Sequence, residues 1–196
     1  MRRLILVLAM AMIVAAASFA VDARVRSVTG SVSVMIEDGS LDPVTEGMIL
    51  TAGSMISTGF GSTASIEMGD STLIVSPVSR LTVEELSRVN GTISTQLFLH
   101  LGRVRAEVHS DAGLQNDFRL RSPNSTASVR GTEFEYDGKN LYVDEGDVAL
   151  TNLIGQAHSV REGQESSAYR FDPIESVTAR FEERSTADLS VDPLLN

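Results

Sequence analysis

The stretch Ser128-Val-Arg-Gly-Thr-Glu-Phe-Glu-Tyr136 decides the fold, because an arginine and a glycine interrupt an otherwise strand-like alternation. Val129 and Phe134 are five positions apart, which is an odd step, so both side chains cannot face one side of an uninterrupted strand. A β-bulge at Gly131 would supply an extra residue and return both apolar side chains to a core. The stretch therefore predicts strands with a bulge, and it places Arg130 at that bulge.

Arg130 has two possible roles at such a position. Its five N–H donors could tie backbone carbonyls or a carboxylate such as Glu133, Asp144 or Glu145. The alternative is that Arg130 binds a ligand, and the parity of the strand favours the structural role. The residues that we predict to form structural motifs are Arg130, Gly131, Thr132, Phe134, Gly102 and Gly146.

Short apolar alternations continue from Arg24 to about Arg170, and each is bounded by glycine, asparagine, aspartate or serine. A period of two with one apolar face is typical of half-buried antiparallel strands. Roughly ten to twelve such strands at short spacing indicate an all-β fold. We predict a stack of short antiparallel strands, solenoid-like or sandwich-like, over residues 21–170.

One local phrase recurs three times without a fixed period, so it does not indicate a regular repeat array. Its copies begin at Gly30, Gly102 and Gly146, and in each the glycine precedes an apolar alternation. A strand that restarts after a bend or bulge needs such a glycine. A separate turn, Asp137-Gly-Lys-Asn140, predicts a hairpin that pairs Phe134–Tyr136 with Leu141–Val143.

Residues 1–20 have the anatomy of a signal peptide. Arg2 and Arg3 precede an uncharged run from Leu4 to Ala17, and a small-x-small site ends at Ala20. Cleavage after Ala20 is the favoured expectation, and the alternative is that residues 4–21 stay as an uncleaved membrane anchor. In both cases we expect the rest of the chain to be exported.

Residues 171–196 change in character. Asp172 is a suitable N-cap, Pro173 suits the first helical position, and Glu175 suits a capping box. We predict a short amphipathic helix over about 173–184, followed by a flexible tail.

Charge and cysteine content exclude several classes of function. Loss of Arg2 and Arg3 with a signal peptide would change the net charge from −10 to about −12. Phosphate backbones would be repelled, so nucleic acid is not an expected partner, and a membrane is expected only if the signal segment is uncleaved. The absence of cysteine excludes disulfides, thiol catalysis and thiolate metal sites.

No motif indicates an enzyme or a metal site. His100, His109 and His158 lie in different segments without metal-ligand spacing, and no G-x-S-x-G elbow occurs. The acidic turn Asp144–Asp147 lacks the alternating oxygen ligands of a calcium loop. We therefore expect no enzyme, cofactor or metal, although a non-standard catalytic triad is still open.

Several segments together resemble the FecR-type domain family. They are Thr51 to Gly59, Gly61 to Met68, Leu101 to Val104, Ser122 to Phe134, Val143 to Val148 and Val160 to Gln164, and they cover about residues 24–168 in the family's order. The resemblance implies a bacterial protein with an all-β domain outside the inner membrane. In the regulators that give the family its name, this domain passes a signal of iron-siderophore uptake inward to a sigma factor.

The resemblance leaves two functions open. Such regulators carry a sigma-binding segment before the membrane span, where this chain has only Met1, Arg2 and Arg3. The first expectation is therefore a non-enzymatic domain in the periplasm or at the cell surface that binds an envelope protein or a cell-wall polymer. The second is a membrane-tethered periplasmic sensor or regulator related to FecR-type signal transduction.

Overall fold

The computed structural model describes residues 22–36, 39–89, 92–109 and 115–175. Within these residues the chain forms eighteen strands, more than the ten to twelve expected. They are β1 Ala23–Thr29, β2 Val32–Met35, β3 Leu41–Pro43, β4 Ile49–Leu50, β5 Met55–Thr58, β6 Thr63–Met68, β7 Ser71–Val75, β8 Arg80–Val89, β9 Thr92–Leu101, β10 Val104–Val108, β11 Gln115–Arg121, β12 Ser125–Val129, β13 Thr132–Tyr136, β14 Asn140–Glu145, β15 Asp147–Asn152, β16 Ala157–Arg161, β17 Gln164–Ser167 and β18 Arg170–Glu175.

The strands form two nine-stranded sheets, which confirms the all-β prediction. Sheet 1 has the order β18-β17-β14-β13-β10-β7-β6-β1-β4, and sheet 2 has the order β16-β15-β12-β11-β9-β8-β5-β2-β3. Both strand orders nearly follow the order of the strands in the chain. The chain therefore alternates between the two sheets and adds strands to each from one end of the stack to the other. The arrangement combines the solenoid-like and sandwich-like descriptions.

The core lies between the inner faces of the two sheets. Strand β6 shows why, because Ala64, Ile66 and Met68 are buried and alternate with partly exposed Thr63, Ser65 and Glu67. The largest fully buried side chains are Tyr136, Phe118, Phe134, Ile56, Ile66, Leu73, Leu81, Leu97, Leu99, Leu120, Leu141 and Leu150. Phe118 of sheet 2 meets Phe134 of sheet 1 edge to face, with ring centroids 6.4 Å apart.

The strand registers define two ends of the stack. At the Gly102 end, the chain crosses between the sheets at 30–31, 59–62, 76–79 and 102–103. At the Gly146 end, it crosses at 130–131, 146 and 162–163. The change of end follows β10, and it makes β11 parallel to β9, whereas the other pairings are antiparallel.

The predicted bulge at Gly131 is wrong. Strand β12 belongs to sheet 2 and β13 to sheet 1, so Arg130 and Gly131 carry the chain across the core. Val129 and Phe134 both point into the core, as a bulge would also have allowed. They do so because they lie in different strands, and the inward-facing positions of one strand do not depend on those of the other. A register shift does occur nearby, between Glu133 and Phe134, where Asp144 of β14 is the extra residue.

All three recurring glycines lie where one crossing packs against another; Gly30, with φ +76°, approaches Ser62 of the next crossing. Gly102 has φ +93°, and a Cβ there would lie 2.5 Å from Ser79 Cα of the neighbouring crossing. Gly146 has φ +84°, and a Cβ there would lie 2.9 Å from the Gly131 carbonyl oxygen. Only glycine fits both the positive φ and the close approach, so the phrase marks bends between sheets.

The hairpin prediction is confirmed, because β13 pairs with β14 in the register Tyr136↔Leu141. The C-terminal prediction needs a correction, since residues 170–175 form strand β18 and the helix does not begin at Asp172. Backbone pairing with β17 decides this, and Pro173 is tolerated because β18 lies at the edge of its sheet. Residues 176–196 and the predicted signal peptide, 1–20, lie outside the described residues.

The part of the chain described here contains no helix of the length and apolarity needed to cross a membrane.

Candidate functional site

A groove lies at the Gly102 end, and Arg103 lies at its centre. It consists of two adjoining cavities of about 520 and 550 Å³, which share Arg103, Glu135 and Asp137 in their walls. The first cavity continues past Tyr142 to Glu165. The second is bordered by the crossing Ser76–Ser79. We call the two cavities together the Arg103 groove.

A buried hydroxyl network fixes one wall of the Arg103 groove. The Tyr136 hydroxyl donates to Ser122 Oγ at 2.9 Å and lies 2.7 Å from Ser125 Oγ. Ser122 Oγ in turn donates to the Gly138 carbonyl at 2.6 Å, which ties the turn of residues 137–140 to the loop before β12. Burial raises the pKa of Tyr136, so its hydroxyl stays protonated and the network stays intact at neutral pH.

The turn at Asp137 presents a fixed negative charge. Burial alone would raise the pKa of Asp137, but hydrogen bonds from the Asn140 and Lys139 backbone N–H groups outweigh it and hold that pKa below its ordinary value. These bonds to Asp137 Oδ1 measure 2.7 Å from Asn140 and 2.9 Å from Lys139. The carboxylate is therefore ionised near pH 7.

Ion pairs organise the remaining charge on the outer face of sheet 1. Arg103 Nη1 lies 2.9 Å from Glu135 Oε1, diagonally across the β10–β13 pair. The Arg103 groove thus contains one guanidinium and three carboxylates, those of Glu135, Asp137 and Glu165. Its net charge is negative, and a ligand that carries positive charge complements it.

Arg105 holds the carboxylates that the sequence offered to Arg130. Its Nη2 donates to Glu133 Oε1 at 2.6 Å and lies 3.0 Å from Asp144 Oδ2. The hydrogen bond to Glu133 raises the pKa of Arg105. Sequence reasoning missed Arg105 because its contacts depend on β10 lying beside β13, which no local motif shows.

Arg130 lies elsewhere, at the Gly146 end on the outer face of sheet 2. It is exposed and lines a shallow groove of about 660 Å³ together with Asp117, Arg119 and Asp147. Thr132 and Gly146 meet at the adjoining crossing, whereas Gly102 is at the other end and Phe134 is in the core. The six predicted motif residues therefore form no single site, and the bracing role of Arg130 stays a prediction.

The three histidines lie in three places. His100 Nε2 is 2.8 Å from Thr82 Oγ1, His109 Nδ1 is 3.2 Å from the Asp70 carbonyl, and His158 Nε2 is 2.7 Å from Ser166 Oγ. Among the residues with described positions, no three His, Asp or Glu side chains converge as metal ligands would. Whether the protein has an enzymatic activity stays a matter of expectation.

One comparison with known families confirms the resemblance noted in the sequence. The family model described as FecR protein matches residues 54–155, just over half of the chain. No curated protein matches.

Two solved structures, both described as a proposed anti-sigma factor from Parabacteroides distasonis ATCC 8503, are similar at a TM-score of 0.48. The first, at 2.50 Å resolution, is 12% identical, and the match covers 62% of this chain and 58% of that chain. The second, at 1.65 Å, is 14% identical and covers 72% and 79%.

Proposed function

The chain belongs to the FecR protein family, and from this premise we propose that it is a cell-envelope signalling regulator whose β domain acts by binding outside the inner membrane. Residues 4–21 would tether it there. The observation that carries this proposal is the family match over residues 54–155, which runs from within the crossing before β5 to the turn after β15. The matched region includes most of the residues that line the Arg103 groove.

The direction of strand β1 determines where a tether would join the domain. Strand β1 starts at Ala23, which pairs with Met68 beside the Gly69–Asp70 turn, at the Gly146 end. A tether through residues 4–21 would therefore join the domain at this end. The Gly102 end, about 20 Å away along a seven-residue strand, would face away from the membrane.

A second function, an exported binding module without a tether, shares the same groove and differs in the fate of residues 1–20. The small-x-small site that ends at Ala20 favours it. The two proposals therefore need an experiment that measures the tether and the signalling output separately.

The test combines intact-mass measurement with fractionation of the native envelope. A tethered regulator is expected in the membrane fraction, resistant to carbonate extraction, with residues 1–20 present. Loss of these residues and release with the soluble periplasm would support the module instead. A variant with Ala20→Asp serves as the uncleaved reference, because a charged residue blocks the small-x-small site.

The signalling part is tested by deletion of the gene followed by measurement of sigma-factor-dependent transcripts. A regulator of FecR type changes at least one such set of transcripts, and complementation with the tethered form restores it. Unchanged transcripts in a strain that normally makes the protein would contradict the signalling role.

A further inference from the structure

We propose that the Arg103 groove and the loop tips beside it form a docking site for an extended segment of a partner protein, one that carries an apolar side chain and, about five residues later, a lysine or arginine. The inference rests on the proposed function, since it names the chemistry of the partner that such a regulator would bind. Exposed apolar side chains, hydrogen bonds between the loops and the charges of the groove support it.

Three apolar side chains are exposed at the Gly102 end, two of them in crossings and the third at the end of strand β9. Phe60 is 93% exposed, Leu101 is 62% exposed and Val78 is 42% exposed. A phenylalanine on a loop tip contributes nothing to the core, and water around its ring costs free energy in the unbound protein. The segments that carry them are neighbours, because the Val78 N–H donates to the Gly59 carbonyl and Gly102, next to Leu101, is in close contact with Ser79. We define Phe60, Val78 and Leu101 as the apolar ledge.

The loops that carry the ledge are tied to each other. The Val78 backbone N–H donates to the Gly59 carbonyl at 3.2 Å, and the Ser76 N–H donates to the Arg103 carbonyl at 3.0 Å. Ser79 Oγ also accepts the Arg103 N–H at 3.0 Å. These loops are therefore held in place before any partner arrives, and binding would cost little ordering entropy.

Val78 has φ 55°, a left-handed conformation that a β-branched residue adopts at a cost. The neighbouring loops impose this conformation, and it holds the valine side chain at the border of the second cavity of the groove. Strain of this kind is often found where a surface is shaped for binding.

Charge selects the occupant of the groove next to the ledge. From Val78 the groove runs past the Arg103–Glu135 pair and Asp137 toward Glu165. A bound segment would therefore place an apolar side chain against the ledge and a later, cationic side chain among the carboxylates of the groove. An anionic segment would meet Glu135, Asp137 and Glu165 instead, so it is disfavoured.

The dimensions fit an extended peptide of about six residues. The strands β7, β10, β13, β14 and β17 are consecutive neighbours in sheet 1, and they separate the ledge from Glu165 by four strand spacings. At about 4.8 Å each this is roughly 19 Å, the length of about six extended residues.

The probe is the peptide acetyl-Phe-Ser-Thr-Ser-Ser-Lys-amide. Its binding is measured by backbone amide NMR of the ¹⁵N-labelled protein, with or without residues 1–20 as the intact-mass measurement finds it in the native envelope. Saturable shifts are expected at residues of the ledge and the groove. A counterpart with Glu in place of Lys should bind at least fivefold more weakly. The Phe60→Ser and Glu165→Gln variants should each weaken the Lys peptide about three- to fivefold.

Controls keep the proposal open to contradiction. Glu162→Gln, an exposed change at the Gly146 end, should leave the affinity unchanged, and all variants should keep the wild-type thermal midpoint. No saturable shift up to several millimolar peptide would overturn the proposal. So would equal binding of both peptides, shifts outside the groove, or concentration-dependent shifts without peptide, which would indicate self-association.

Failure of peptide binding can be distinguished from failure of the proposed function, because the mass and transcript measurements test the tether and the signalling role without involving the groove.

Discussion

Thr132 is a buried side chain that contributes to packing by its shape rather than by its polarity. Its hydroxyl is buried and has no hydrogen-bond partner among the described residues, whereas its methyl group packs closely over Gly146. The methyl group fills the space between two crossings, so the packing of Thr132 stabilises the Gly146 end while its hydroxyl opposes that stabilisation.

We expect Thr132→Val to raise the free energy of unfolding by about 1 kcal/mol, because the change removes an unpaired hydroxyl and keeps the shape. Thr132→Ser is the matched control, and it should lower the value by about 1 kcal/mol through loss of the methyl group. Urea denaturation of the three proteins measures both effects. If Thr132→Val and Thr132→Ser lower the free energy of unfolding equally, the Thr132 hydroxyl has a hydrogen-bond partner and the expectation is wrong.

Asp144 provides a pH-dependent case. Burial raises its pKa, and the nearby Arg105 lowers it by less, so the ionised carboxylate is disfavoured in the folded state. Its Oδ2 is buried and lies 3.0 Å from Arg105 without forming a hydrogen bond. The 3.0 Å contact suggests a stabilising ion pair, yet the burial is the larger effect.

For a raised carboxyl pKa, the contribution to stability is fully present below the unfolded pKa, near 3.8, and is lost as the pH rises through the folded pKa. We therefore expect Asp144→Asn to be as stable as wild type or up to about 1 kcal/mol more stable at pH 7, and to lose this advantage near pH 3. Glu133→Gln should instead cost about 1 kcal/mol at pH 7, because the amide oxygen still accepts from Arg105 but the charge that strengthens these hydrogen bonds is lost. Urea titrations at the two pH values test the sign.

At this scale, the sequence predicted the chemistry of the arginine and not its position. An arginine that binds Glu133 and Asp144 exists, but it is Arg105 of β10 rather than Arg130. Arg105 reaches these carboxylates because β10 is the strand that pairs with β13. The order of strands in a sheet cannot be read from nine consecutive residues.

Among the elements, the crossings carry more of the fold's specificity than the strands do. Alternating valine, leucine and alanine would fit many registers, whereas the crossing at Gly102 accepts one geometry. Gly102 has φ +93° and is in close contact with Ser79, which is itself hydrogen-bonded to Arg103. Each such crossing sets the register of the next pair of strands.

We expect Gly102→Ala to lower the free energy of unfolding by about 3 kcal/mol, since the alanine must adopt the positive φ and would overlap with Ser79. Gly155→Ala is the matched control, because Gly155 has φ +80° but a Cβ at that position would meet no atom within 4 Å. It should lose about 1 kcal/mol, from the backbone alone. Equal losses would mean that the close approach to Ser79 relaxes freely.

The strands and hairpins were predictable because the alternation and the turn at Asp137 are local signals. The change of sheet at Arg130–Gly131 was not, because a bulge and a crossing satisfy the same parity. The Arg103 groove was not predictable either, since its walls come from three strands, β13, β14 and β17, and from the loops between other strands, and its first and last lining residues, Ser76 and Ser167, lie about ninety residues apart in the chain. Helix capping signals at Asp172 were outweighed by pairing of the chain with β17.

The described residues form a linear stack in which most strands are hydrogen-bonded to strands near them in chain order and pack across the core against the opposite sheet. Its ends differ from its middle: β3 is a three-residue strand with exposed side chains, whereas β10 lies between β7 and β13 with three buried side chains. In such stacks stability is shared between neighbours, and it is lowest where a neighbour is missing.

We expect hydrogen exchange to be slowest in β6, β7, β10 and β13 and fastest in the edge strands β3, β4, β16 and β18. The reason is that edge strands have hydrogen-bonded neighbours on one side only. Exchange measured by NMR or mass spectrometry at neutral pH reports this gradient directly. Uniform protection along the stack would indicate that both sheets open as a single unit.

The parallel β9–β11 pair has a consequence for engineering. Because the chain changes ends there, the Gly102 end holds both tightly packed crossings and, after β11, the hairpin tips 122–124, 137–139, 153–156 and 168–169. Hairpin tips with exposed side chains, such as Leu153 and Ile154, tolerate grafted sequence, whereas the crossings do not. A reporter epitope inserted between Ile154 and Gly155 would thus be displayed on the same side as the Arg103 groove while leaving every crossing intact.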